Sequence, residues 1–228
     1  MKQELTTLQI EKLFEFCSKH FVRFYDLQVE LVDHLANAIE EKMDKQKNIS
    51  FESALEEVHK SFGYKGFAGF VEARASALYQ QNKKLRWKLF LEYFTFPKIA
   101  FTTFLITCFI TIGVLFPKNQ LGNVSAIITV LFILLELIVA YRSRRLFKKV
   151  TKNLLLISSR YSQGFFSFFA IQFLVQYLHF SDINELSILS YSFFSVTIGL
   201  MTITNLSYYE LCKKLLKVSY EQYPQAFA

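Results

Sequence analysis

The sequence predicts an all-α protein, an N-terminal cytosolic helical domain followed by a four-helix transmembrane bundle. Apolar residues in the first third recur at helical spacing, and no alternating run suggests a sheet. Beyond residue 98 lie four apolar stretches, each near the ~20 residues with which a helix crosses a bilayer. Basic residues flanking them alternate between dense and sparse, which orients the spans. The expected divisions are a cytosolic interaction domain at 1–82, a basic and aromatic interfacial linker at 83–98, a transmembrane domain at 99–217 and a cytosolic tail at 218–228.

The totals show two characters in one chain. Of 228 residues 26 are Phe, and mean hydropathy is +0.25 although 20% of residues are charged. Residues 1–95 hold fourteen of the 26 bases and fourteen of the 19 acids, so the whole net charge of +7 belongs to the remainder. A pI of 9.2 therefore reflects bases flanking apolar spans, and direct nucleic-acid binding is not expected. Cys17, Cys108 and Cys212 are too widely spaced for a disulfide framework or a zinc site. The N-terminus lacks the apolar core of a secretory signal, so the first domain is expected to stay in the cytoplasm.

The head can be read helix by helix. Thr6 and Gln9 form a capping box, after which Leu8, Leu13, Phe14 and Cys17 mark a helix at about 7–20. Asp26 is expected to cap a second helix, in which Leu27, Leu31, Val32, Leu35, Ala38, Ile39 and Met43 gather opposite Glu30, Asp33, Asn37, Glu40 and Glu41. Ser50 caps a third with Phe51, Ala54, Leu55, Val58 and Phe62, and Gly63 supplies a left-handed terminus. Phe67, Phe70, Val71, Ala75 and Leu78 suggest a fourth helix running toward Lys83.

The run Tyr25 to Leu35, then Ile39-Glu40, then Ser50 to Val58 closing at Phe62-Gly63, resembles the HAAS-type helical signalling domain and the permease-prefix domain of some bacterial membrane proteins. The resemblance covers about residues 5–75 and none of the membrane part. It implies a cytosolic, non-catalytic module linked to a PadR-like winged-helix regulator or to a transporter subunit. No permease core or ABC motif follows it here.

Residues 83–94 interleave bases with aromatics, and Arg86, Trp87, Lys88 and Tyr93 are expected at an interface with anionic headgroups. Pro97 marks a bend before the first span. Spans are placed at about 99–116, 124–141, 161–180 and 187–208. The connection at 142–160 carries Arg142, Arg144, Arg145, Lys148, Lys149, Lys152 and Arg160, whereas 181–186 carries no base. A multi-pass protein of the cytoplasmic (inner) membrane with both termini cytoplasmic satisfies this pattern.

Glu136 is the sharpest candidate for chemistry. An intramembrane carboxylate costs on the order of 2–3 kcal/mol, so it reads either as a proton or cation site or as a carboxyl kept neutral, snorkelling toward Arg142 or touching another subunit. Thr103, Thr107, Ser167, Thr202 and Asn205 lie at its depth. Gln172, Gln176 and His179 form a polar stripe on the third span, a substrate groove or, more commonly, interhelical hydrogen bonding. Serines and threonines of the fourth span, with Gly199, permit close packing. His34 beside Glu30 has no second histidine at ligand spacing, and His20 and His59 stand isolated in sequence. With neither catalytic motifs nor a metal or cofactor site, the expectation is a non-enzymatic membrane protein whose head recruits or regulates a partner through Glu30, Asp33 and His34. The alternative is a small transporter or channel subunit using Glu136, with a pore between copies of a homo-oligomer.

Overall fold

The computed structural model describes residues 4–46, 48–117, 120–158 and 188–227. Among the described residues every regular element is helical: α1 (Thr7–Lys19), α2 (Tyr25–Lys45), α3 (Phe51–Ser61), α4 (Phe67–Leu91), α5 (Lys98–Leu115), α6 (Leu121–Leu146), the single turn α7 (Leu155–Ser158) and α8 (Ile188–Gln222). The chain divides into two compact units. One comprises Met1–Gln81, Val150–Ser159 and Val218–Ala228, the other Asn82–Lys149 and Arg160–Lys217.

In the first unit the expected wheel is realised. Leu27, Leu31, Val32, Leu35, Ile39 and Met43 of α2 are buried against Leu13 and Cys17 of α1 and against Ala54, Leu55 and Val58 of α3. Local signals set the helix ends. Thr6 and Gln9 make the reciprocal capping box of α1, and the Ser50 hydroxyl accepts from the Ser53 N–H at the start of α3. Gly63 follows α3 with φ +74°, a conformation that costs a residue with a Cβ. Burial pushes the Cys17 thiol up to about 12, which leaves it inert.

Asp26 departs from its expected role. Phe24 holds the cap position of α2 without a side-chain bond, and Asp26 lies inside the first turn, nearly inaccessible to solvent. Its Oδ1 accepts from the Leu27 and Leu155 N–H groups at 3.1 and 2.9 Å, and its Oδ2 accepts from the Leu156 N–H at 2.9 Å. Leu155 and Leu156 open α7, so their N–H groups have no partner within that turn. Around this point the Tyr25 N–H donates to the Asn153 carbonyl and the Thr151 N–H to the Ala226 carbonyl, both at 2.8 Å. The Tyr25 hydroxyl donates to Gln225 at 2.6 Å, and Lys152 Nζ lies 3.9 Å from the Tyr25 ring. Residues 151–156 and 223–226 are thereby integral to the head, whereas the sequence reading leaves them as loop and tail.

The second unit also redraws boundaries. The linker expected at 83–98 is helical as far as Leu91, because α4 runs unbroken through Lys83, and its pairing with the next helix is bent by 73° near Pro97. Residues 188–208 of the fourth span expected at 187–208 lie within the 35-residue α8. Among the described residues one helix, Asn123–Lys149, can by length and composition cross a membrane, or two if the bent pair Phe67–Phe94 with Lys98–Ile112 counts as one span. Four spans are thus not established, and the span expected at 161–180 lies outside the described residues.

Beside a buried apolar cluster of Leu121, Ile128, Phe132, Tyr191, Phe194 and Ile198, this unit exposes much apolar surface and buries several polar side chains. Ile127, Val130, Leu131, Leu134, Leu137 and Ile138 of α6 are exposed, while Ser125 and Thr129 of α6 and Ser195, Thr202 and Asn205 of α8 are buried. Hydroxyls of Thr103, Ser125, Thr129, Ser195, Thr197 and Thr202 donate to carbonyls one turn back in their own helices. A Cβ on Gly199 would lie 2.9 Å from Ile106 Cγ1, so the glycine allows α5 and α8 their close approach.

Replacing Asp26 with alanine removes one charged acceptor from three N–H groups. The expected loss is about 2–3 kcal/mol of first-unit stability, with exchange protection disappearing first at Leu155 and Leu156 in hydrogen–deuterium exchange of the full chain.

Candidate functional site

Glu30, Asp33 and His34 lie at i, i+3 and i+4 on α2, but the fold treats them differently. Glu30 forms an ion pair with Arg74 of α4, Oε2 to Nε 2.8 Å. Asp33 and His34 are exposed, with the His34 ring edge-on to Phe70 at 6.1 Å and the Asp33 carbonyl accepting from the Asn37 amide. Outward-facing chemistry therefore remains with Asp33 and His34, while Glu30 is turned into the fold.

Beside that ion pair the first unit has a groove of about 180 Å3. Asp26, Leu27 and Glu30 of α2, Arg74, Leu78 and Gln81 of α4, Leu156 of α7 and Val218, Gln222 and Tyr223 line it. Burial raises the Tyr223 hydroxyl above its ordinary range. The charges of Asp26 and Glu30 add to the shift and Arg74 opposes it, so all three charges act at this phenol. Sequence reasoning missed Arg74 and Tyr223, which lie 44 and 193 positions from Glu30 and leave no local pattern.

A second site invisible in the sequence joins His20 at the end of α1 to His59 near the end of α3. Their ring centroids lie 4.5 Å apart, among Phe16 and Phe67. The His20 Nδ1–H donates to the Phe16 carbonyl at 2.8 Å. Among the described residues no group of three metal-ligating side chains forms.

In the second unit, the Asn205 amide donates to Glu136 Oε1 at 3.4 Å. Thr103 and Thr202, expected to help hold Glu136, turn to their own helices instead. Ser167, Gln172, Gln176 and His179 lie outside the described residues. Of the interface set, Trp87 is 61% exposed and stacks on Phe90 at 5.4 Å, Lys88 is exposed and Arg86 is half-buried. Tyr93 departs from the expectation: it is buried, its hydroxyl donates to Glu210 at 3.0 Å, and Lys98 Nζ lies 4.6 Å from its ring. Burial, then the Glu210 carboxylate, raises its pKa, so it stays a neutral donor. Lys98 also pairs with Glu210 at 3.1 Å and with Glu92 at 3.5 Å.

No family model, curated protein or solved structure matches this chain.

The His59 pKa is lowered from 6.5 by burial and then by the neighbouring His20. The unfolded chain therefore binds this proton more tightly, so the stability His59 contributes is complete above 6.5 and declines as pH falls below it. Thermal unfolding of the full chain should show a midpoint that drops between about pH 7 and pH 5, and His59→Gln should flatten that dependence.

Proposed function

We propose that this chain is a non-enzymatic protein of the cytoplasmic membrane in which a helical bundle anchors a cytosolic head that recruits or regulates a protein partner. One observation carries the membrane half. The helix Asn123–Lys149 is apolar enough to span a bilayer, yet only 28% of its apolar window is buried. A core helix of a soluble protein hides such a surface. Here six large apolar side chains, Ile127, Val130, Leu131, Leu134, Leu137 and Ile138, face outward while the hydroxyls of Ser125 and Thr129 are buried, an arrangement that suits a hydrocarbon solvent.

The closure of the head supports the four-span topology independently of charge. Residues that pack together lie on one side of a membrane. The bonds from Asp26 to Leu155 and from Thr151 to Ala226 therefore favour an even number of crossings on either side of residues 150–158. Two and two satisfy this, and the bases at 142–160 and 213–217 then face the cytoplasm. Single cysteines introduced at Lys148 and Lys149 are expected to react with impermeant maleimide only after the cytoplasmic face is opened.

Recruitment rests on the HAAS-type resemblance and on the exposed pair Asp33 and His34. The partner class is a PadR-like winged-helix regulator or a transporter subunit. Co-purification from crosslinked membranes, read by mass spectrometry, is expected to recover such a protein. The double variant Asp33→Lys with His34→Glu should lose it, and undiminished recovery would remove this surface from the proposal.

The bond between Asn205 and Glu136 favours a second reading, a transporter or channel subunit. An intramembrane carboxylate held by an amide is a candidate proton or cation site. Anchoring predicts no ion flux in proteoliposomes, whereas transport requires flux that Glu136→Gln abolishes.

A further inference from the structure

We infer that the groove beside Glu30 and Arg74 binds a small zwitterion with the size and charge pattern of a free α-amino acid. At about 180 Å3 the groove admits a small organic molecule, and the character of its walls decides which kind. The walls offer both charges. Asp26 and Glu30 supply negative potential, and Arg74 supplies a guanidinium that meets Glu30 through Nε and has no second carboxylate partner among the described residues. The Tyr223 hydroxyl and the Gln81 and Gln222 amides line the same space and make no side-chain hydrogen bond among the described residues.

This set discriminates between ligand charges. A simple carboxylate would find Arg74 and Tyr223 but suffer repulsion from Glu30 and Asp26. A simple amine would find the acids but meet the Arg74 charge. A zwitterion satisfies both, with its carboxylate on the Arg74 guanidinium and the Tyr223 hydroxyl and its ammonium toward Glu30. The bound molecule would touch α2, α4, α7 and the segment after α8 together, and so strengthen the closure of the head. Mass action then makes the ligand a stimulus for that closure. The site lies wholly within the first unit and does not rest on the partner proposed above.

Isothermal titration of the full chain in detergent tests this directly. The probes are L-alanine and L-serine, each compared with the analogues lacking the amine (propionate, 3-hydroxypropionate) or the carboxylate (ethylamine, ethanolamine). An amino acid is expected to bind at least about tenfold more tightly than either of its analogues. Arg74→Gln and Tyr223→Phe should each weaken it by a similar factor. The phenylalanine variant removes one hydroxyl and leaves the ion pair in place, and circular dichroism of both variants checks the fold. Absence of binding by both amino acids, equal binding of an analogue, or unchanged affinity in the two variants would overturn the assignment. Partner recovery needs no amino acid, so the two proposals fail separately.

Discussion

A buried carboxylate is tolerated only when its charge is met by donors, since an uncompensated one costs several kcal/mol. Asp26 is nearly inaccessible and sits at the start of α2, the helix that contributes most to the core of the first unit. Its own turn supplies one donor, Leu27, and the other two come from Leu155 and Leu156, more than a hundred residues later. The first turn of α2 thus depends on the return of residues 151–156. Their return in turn places Thr151 where it closes on Ala226. The head is thus a closed unit of three chain segments.

The second unit obeys the opposite solvent rule. Its helices expose many large apolar side chains and bury several hydroxyls; those of Ser125, Thr129, Ser195 and Thr202 cost little because each donates to a carbonyl of its own helix, while those of Tyr93 and Tyr191 reach other elements. Beside those two bonds the helix contacts rest on shape, as Gly199 against Ile106 illustrates, and on Leu121, Ile128 and Phe132 packing with Tyr191, Phe194 and Ile198. Glu136 is the exception, a carboxylate whose described partner is an amide on another helix. In water such a long bond would contribute little. In a hydrocarbon surrounding such a bond would restrain α6 against α8 far more than in water.

Legibility in the sequence follows the range of the interaction. The first three helices could be read closely because caps and wheels are local: Thr6 with Gln9, Ser50 with Ser53, and the apolar stripe from Leu27 to Met43. The extension of α4 to Leu91 could not be read from periodicity, since Ala, Leu, Lys, Gln and Arg favour a helix through propensity while forming no apolar stripe. Pairings across long separations left no trace. Glu30 with Arg74, His20 with His59, and Tyr93 with Glu210 are brought together by tertiary packing alone. Tyr93 misled for a physical reason, because an aromatic beside lysines fits an interface and an intramolecular cation–π contact equally well.

The same closure narrows what a partner can read. The N-terminal part of α2, from Tyr25 to Glu30, is engaged by Asn153, Leu155, Leu156, Gln225 and Arg74, so its polar groups serve the chain itself. Asp33 and His34, one turn further, are the first polar side chains of that helix left open to solvent. A protein docking there would contact the helix whose N-terminal turn anchors both returning segments. Any molecule that binds there only when those segments are closed on α2 would stabilise the head by mass action, with no contact beyond the first unit required.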